Sequence, residues 1–150
     1  MALLKSFKDK ARLARQISFL DWLILIEAWG MLLFFHLALR CVSYETLKTS
    51  SRRMSSEISE PVRALLSAQK YQHLIGRASR LHLLPMTCLA RSLALCWMLN
   101  RRGIPAEIRI GVKKSWDRIL AHAWIEVLGE PIGEAEDIPD RFIALETPAG

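Results

Sequence analysis

The feature that most constrains the fold of this chain is a predicted helix followed by segments in which polar and apolar residues alternate. Between residues 88 and 100 apolar side chains recur at spacings of three, four and seven, which predicts one face of an α-helix. Thr87 is placed to cap the first turn, because a threonine hydroxyl there accepts from an unpaired backbone N–H group. The sequence RRG at 101–103 then ends the helix with two cations and a glycine.

The segments that follow this helix predict a small antiparallel sheet. Residues 107–112 and 119–128 alternate between polar and apolar side chains, as half-buried strands do. The polar residues 113–118 predict a loop between them, and Gly-Glu-Pro at 129–131 predicts a turn. Residues 132–134 then run back beside the second strand. The sequence therefore predicts a helix packed with three short strands.

Composition and charge narrow the class of protein. Apolar residues make up 51% of the 150 residues, which excludes global disorder. The formal net charge of +6 is uneven: residues 1–118 contain 20 basic and 8 acidic residues, whereas residues 119–150 contain 1 and 7. A basic body suggests an anionic partner, whether a peptide, a nucleic acid or a membrane surface. Basic residues interleaved with stacking aromatics are absent, so we expect no nucleic-acid partner.

The cysteines and histidines limit the kinds of site that the chain can build. The chain has three cysteines, Cys41, Cys88 and Cys96, and no CxxC motif. This odd number and spacing exclude a disulfide framework and a cysteine-rich zinc site. The histidines have no metal-ligand spacing either, so we expect no metal. This cysteine usage fits a reducing compartment, and we predict a cytoplasmic protein.

An apolar stretch at residues 17–39 follows five basic residues and resembles a signal or a membrane anchor. Asp21, Glu27 and His36 interrupt it, so no uninterrupted run reaches the ~20 residues that a bilayer span needs. No small-residue cleavage site follows it. The favoured interpretation is a helix buried in the protein or covered by a partner protein. Peripheral membrane contact is the second interpretation, and a true span is the third.

The middle of the chain predicts a boundary between two regions. Residues 43–60 are polar and rich in serine, which predicts a linker or surface loop. Pro61 then starts a helix that continues to about residue 80. We therefore predict an N-terminal helical region with its linker at 1–60 and a core domain at 61–150. Because the predicted sheet is small, we expect the N-terminal helices to complete the core.

Cys88 and His122 have the positions that a nucleophile and its base require. Cys88 falls at the start of a helix, where unpaired backbone N–H groups and the helix dipole favour an anion. His122 lies inside a strand. A three-residue turn at 128–130 would place Glu134 opposite Trp124, on the face that carries His122, where a carboxylate can orient the ring. The remaining candidates for this acid are Glu126, Glu136 and Asp137.

Each of these residues also has an ordinary structural explanation. A buried cysteine is more often a packing residue than a nucleophile, and a strand histidine is more often a hydrogen-bonded core group than a base. Spacing alone therefore favours packing over catalysis for Cys88 and His122. Cys96 lies roughly 12 Å further along the helix, at 1.5 Å per residue, and is predicted to be a packing residue.

Four motifs in this region together resemble the transglutaminase-like cysteine protease of lasso-peptide biosynthesis. They are CLARSLAL from Cys88, LNRRGIPA from Leu99, IGV from Ile110 and AHAWIE from Ala121. The resemblance is to the leader peptidase in its stand-alone form, without a fused leader-recognition domain. It implies an α+β fold with a papain/transglutaminase-like core, in which a helix packs on a short antiparallel sheet, and an N-terminal helical part.

The resemblance also implies roles and partners. Cys88 is the nucleophile and His122 is the base, and the family's acid, generally an aspartate twelve residues after the histidine, falls on Glu134. The implied partners are a precursor leader peptide, a small leader-recognition protein that holds the leader by strand addition, and an ATP-dependent lasso cyclase. No cofactor is implied for this chain, because nothing in it resembles a phosphate-binding loop and ATP use belongs to the pathway.

Two other functions remain open at this stage. A transglutaminase-like acyltransferase would use the same three residues but pass the acyl group to an amine instead of water. A non-catalytic, basic α/β module that binds an acidic protein would need none of them.

Overall fold

The computed structural model describes residues 18–51, 60–115, 118–133 and 142–144. These residues form four helices and one antiparallel sheet with the strand order β3-β2-β1-β4. The elements are α1 (Phe19–Cys41), α2 (Tyr44–Ser51), α3 (Pro61–Leu81), α4 (Cys88–Arg101), β1 (Ala106–Ser115), β2 (Arg118–Val127), β3 (Glu130–Pro131) and β4 (Ile143–Ala144).

The two long strands pair along their whole length. In the antiparallel register of β1 and β2, Ala106 lies opposite Val127 and Ser115 lies opposite Arg118. The loop predicted at 113–118 is therefore wrong for residues 113–115, which continue β1, and for Arg118, which begins β2. Polar side chains do not prevent strand pairing when the backbone ladder continues and the side chains reach solvent.

The turn after β2 differs from the predicted one. Val127 lies opposite Glu130, so the hairpin closes on two residues, Leu128 and Gly129, whose φ angles are 57° and 83°. Two positive φ angles are typical of the tight turn that matches strand twist. The register is thus shifted by one residue from the predicted three-residue turn, and the predicted pairing of Glu134 opposite Trp124 loses the turn on which it depended. Glu134 itself lies outside the described residues.

Part of the predicted linker is a helix. Residues 44–51 form α2, whereas 52–59 lie outside the described residues. Leu47 is buried in the main hydrophobic core, and α2 packs against α4. The helix therefore depends on a tertiary contact, because a peptide of this length is not stable as a helix alone.

α4 lies at the centre of the molecule. It packs against α1, α2, α3, β1 and β2, and its residues Leu93, Met98 and Leu99 are fully buried. From α1, a stripe of four residues joins the same core: Leu25, Ala28, Leu32 and Phe35. The predictions of an α+β fold and of N-terminal helices that complete its core are confirmed.

Two ion pairs tie α1 to the core. Asp21 lies 2.6 Å from the ammonium group of Lys70 in α3. Glu27 accepts from the guanidinium of Arg102, which also stacks over the ring of Tyr71. The two carboxylates that interrupt the apolar stretch thus face cations of the protein.

Candidate active site

Cys88 lies in the first turn of α4. The hydroxyl of Thr87 accepts from the backbone N–H of Ala90 at 3.2 Å, which caps the helix as predicted. This cap makes Cys88 the first helical residue, and its side chain is half-buried. A helix start of this kind stabilises negative charge on a nearby group.

His122 lies on β2 among aromatic rings. Its ring centroid is 6.3 Å from that of Trp124 and 5.6 Å from that of Phe142. Gly111 lies opposite His122 on β1, and a Cβ there would come within 2.6 Å of Phe142 and 2.9 Å of Trp124. Glycine at this position leaves the space that the two rings occupy. A glycine inside an alternating strand signals such a close approach, whereas nothing in the sequence marked Phe142.

Cys88 and His122 line one pocket. It is a small cavity that is partly open to solvent. The structure therefore brings the predicted nucleophile and base, 34 residues apart in sequence, to the same cavity. The other lining residues are Gln72, Arg91, Ser92, Ala123, Trp124, Ile125 and Ile132.

A buried hydrogen bond joins the two elements that carry this pair. The hydroxyl of Ser92 donates to the backbone carbonyl of Ala123 at 3.0 Å. Further along the same edge of β2, the carbonyl of Ile125 accepts from the backbone N–H of Ile132. Ser92 thus provides the donor where β3 no longer pairs with β2. Ser92 lies one helical turn from Cys88, and its acceptor, Ala123, is the residue after His122.

Three pocket residues were missed by reasoning from the sequence. Arg91 and Ser92 follow Cys88 by three and four positions, so helical spacing could have indicated them. Gln72 comes from α3, and nothing local predicted its approach. The Nε atom of Arg91 is buried without a hydrogen-bond partner among the described residues, which places a cationic group in the wall of the pocket.

Glu126 is engaged by groups other than His122. Its two carboxylate oxygens accept from the indole N–H of Trp124 and from Nε of Arg109, each at 3.0 Å. The hydrogen bond to Glu126 raises the pKa of Arg109. Four residues along a strand span roughly 13 Å, so β2 itself separates Glu126 from His122. The other candidate acids, Glu134, Glu136 and Asp137, lie outside the described residues.

Cys96 is a structural residue. It is 4% exposed, donates to the carbonyl of Ala106 at 3.3 Å and accepts from the amide of Asn100 at 3.2 Å. Burial raises the pKa of Cys96 to about 12. The amide of Asn100 also binds both the N–H and the carbonyl of Ala106, so the two side chains fix the start of β1 on α4. Within the described ranges, no cluster of His, Cys, Asp or Glu could hold a metal ion.

The pocket lies within a segment that matches a known family. A family model of the transglutaminase-like superfamily matches residues 31–147, more than half of the chain. The chain belongs to the transglutaminase-like superfamily. The matched residues contain α3, α4 and the hairpin, and hence every residue that lines the pocket.

Part of the chain is also similar to a curated protein. The chain is 34% identical over 65 residues to the microcin J25-processing protein McjB of Escherichia coli. That alignment covers 43% of this chain and 30% of the relative, so the chain spans less than a third of the relative's length. No solved structure matches the chain.

Proposed function

We propose that this transglutaminase-like protein is a cysteine endopeptidase that removes the leader from a lasso-peptide precursor. The observation that carries the proposal is the shared pocket of Cys88 and His122. A sulfur at a helix start and an imidazole on a neighbouring strand are the two groups that acyl transfer through a thioester needs. The similarity to a microcin J25-processing protein supports peptide processing as the setting.

The proposed reaction has two steps. In the first step the Cys88 thiolate attacks the carbonyl carbon at the leader–core junction, and backbone N–H groups of the first turn of α4 stabilise the oxyanion. His122 donates a proton to the leaving amine of the core peptide, which leaves the leader as a thioester on Cys88. In the second step His122 takes a proton from water and the hydroxide attacks the thioester carbonyl. The leader leaves as a carboxylic acid, and Cys88 returns as the thiolate beside protonated His122, as at the start of the first step.

We retain Glu134 as the proposed partner of His122. The two-residue turn removes the strand register that favoured Glu134. The remaining support is the family pattern, in which the acid follows the histidine by twelve residues. Glu126 is a weaker candidate, since Trp124 and Arg109 already bind its carboxylate.

The proposed partners follow from the same family. They are the leader of the precursor, a small leader-recognition protein that delivers it, and a lasso cyclase that consumes ATP to join the freed amine to a side-chain carboxylate. We propose the cytoplasm as the site of this reaction, and no cofactor for the peptidase itself.

The test is leader removal by the full-length chain from a synthetic precursor, in the presence of the leader-recognition protein encoded with it. We expect two products whose summed mass exceeds the precursor by one water. Cys88→Ala should lose cleavage at least 10³-fold, as expected when the nucleophile of a triad is removed. The matched control is Cys41→Ala, which changes an exposed cysteine and should cleave like the unchanged protein.

Two results would overturn parts of the proposal. Cleavage by Cys88→Ala at the control rate would remove the nucleophile assignment. A product that carries an added amine in place of water would replace hydrolysis with acyl transfer.

A further inference from the structure

The side of α1 that faces away from the core is apolar along its length. The buried stripe of α1 is centred on Leu25 and Leu32. Large apolar side chains lie exposed on the opposite side, with Phe19 at 76%, Ile26 at 65% and Phe34 at 55% of their full exposure. At 1.5 Å per residue, the apolar surface from Phe19 to Leu37 extends roughly 27 Å. A patch of this length on a soluble surface marks an interaction site.

Both carboxylates of α1 are held in ion pairs at the border of this surface. Asp21 and Glu27 pair with Lys70 and Arg102, so both carboxylates face the protein. Arg40 lies beyond the last residue of the patch and contacts His36 at 3.4 Å. We define the α1 apolar face by its exposed members, which are Phe19, Leu20, Leu23, Ile26, Phe34 and Leu37.

Two tryptophans lie beside the α1 apolar face. Trp22 and Trp29 are both partly exposed, and the ring of Trp29 stacks on His82 at a centroid distance of 4.5 Å. Tryptophan is enriched where protein meets the headgroup region of a bilayer, because its ring is apolar and its N–H is polar.

Basic residues flank the α1 apolar face in the sequence at both ends. Residues 5–15 contain five basic residues and one acidic residue directly before α1. Arg40 and Lys48 follow, and then Arg52 and Arg53. A basic flank beside an apolar helical face is the pattern that binds anionic lipid surfaces, since cations attract the headgroups and apolar side chains enter the acyl boundary.

We infer that the α1 apolar face binds the surface of an anionic lipid bilayer, with α1 in the plane of the interface. α1 is long and apolar enough to cross a bilayer by composition alone. A span would have to break the two ion pairs and remove Leu25, Leu32 and their neighbours from the core. Binding in the plane keeps these contacts and covers only the exposed side. No residue of α1 lines the pocket, so the proposed membrane surface and the pocket share no residue.

The experiment measures binding of the full chain to vesicles by sedimentation. We expect binding to vesicles of phosphatidylglycerol mixed with phosphatidylcholine, at least tenfold weaker binding to pure phosphatidylcholine, and weakening at high salt. The triple variant Phe19→Ser, Ile26→Gln and Leu37→Gln should bind anionic vesicles at least tenfold more weakly. Its circular dichroism spectrum should be unchanged, because all three side chains are exposed.

The matched control is Leu83→Gln, which changes a side chain that is 91% exposed outside α1 and should bind like the unchanged protein. Cys88→Ala should also bind normally, so failure of the proposed peptidase activity and failure of membrane binding give separate results. Equal vesicle binding by the triple variant, or no binding by the unchanged protein, would overturn the inference. A dimer that the triple variant converts to a monomer, without vesicle binding, would assign the face to a second copy instead.

Discussion

The hydroxyl of Ser92 donates to the backbone carbonyl of Ala123 across 3.0 Å, in a buried position between α4 and β2. Ser92 lies one turn after Cys88, and Ala123 follows His122 directly. This hydrogen bond therefore connects the helix that carries the proposed nucleophile to the strand that carries the proposed base, beside the packing of α4 on β2.

Replacing Ser92 with alanine should loosen this connection. The change leaves the Ala123 carbonyl without its donor in a buried place, which costs about 1–3 kcal/mol of unfolding free energy. Urea denaturation would measure that loss. In leader cleavage by the same variant, kcat should decrease by a larger factor than KM increases. Ser67→Ala in α3 is the control and should change neither quantity appreciably. Unaltered stability and kcat in Ser92→Ala would show that the hydrogen bond does not position the pair.

Replacing Gly133 with alanine should disturb the wall of the pocket. Gly133 has a φ of +71°, and a Cβ there would lie 2.3 Å from Cγ of Gln72. We expect a loss of about 1–3 kcal/mol of unfolding free energy from the backbone strain, with a further loss from the clash. Thermal denaturation followed by circular dichroism would measure it.

Two further variants separate these causes. Combining Gly133→Ala with Gln72→Ala should recover the part of the loss that comes from the clash. Gly30→Ala is the matched control, because a Cβ at Gly30 meets nothing within 4 Å and alanine favours a helix by up to about 1 kcal/mol. If Gly133→Ala were as stable as Gly30→Ala, the described contact between Gly133 and Gln72 would be contradicted.

The buried thiol of Cys96 predicts a loss of stability in alkali. Its pKa is about 12 in the folded protein, against 9.0 for an unperturbed thiol. The unfolded chain therefore loses this proton first as the pH rises, and the stabilisation present below pH 9 is lost between pH 9 and 12. One proton contributes a slope of at most about 1.4 kcal/mol per pH unit.

The measurement compares Cys96→Ala with the unchanged protein by urea denaturation across this pH range. The variant should be less stable at neutral pH, and its unfolding free energy should fall less steeply above pH 9. Tyr44, whose pKa burial raises to about 12, is present in both proteins, but the charge of Cys96 also raises that pKa, so the difference in slope reports Cys96 together with its effect on Tyr44. Parallel slopes would show that the folded protein does not hold Cys96 as a thiol.

The sequence predicted the elements whose signals are local. α4 has a capping threonine at one end and Gly103, with a φ of 77°, at the other. The alternation of polar and apolar residues predicts the two strands of the hairpin. Cys88 and His122 were predictable because Cys88 begins a helix with a clear cap and His122 lies inside an alternating strand. The family motifs indicated that the two belong to one site.

The features that depend on distant contacts were not predictable in the same way. α2 forms from polar residues because Leu47 packs in the core, and β4 pairs with Gly111 and Val112 of β1 across a long separation in sequence. The hairpin register depends on a leucine with positive φ, which is uncommon for a residue other than glycine. Which carboxylate partners His122 stays a prediction.

The enclosure of α4 has a consequence for how this protein can evolve. Cys88 is the first residue of a helix whose sides contact three other helices and the sheet. Any substitution that shifts α4 inside that enclosure also shifts the sulfur, even when the substituted side chain lies at the far end near Leu99. Interior substitutions therefore move the sulfur of the proposed nucleophile, and we expect the surface of this protein to tolerate substitution better than the buried sides of α4.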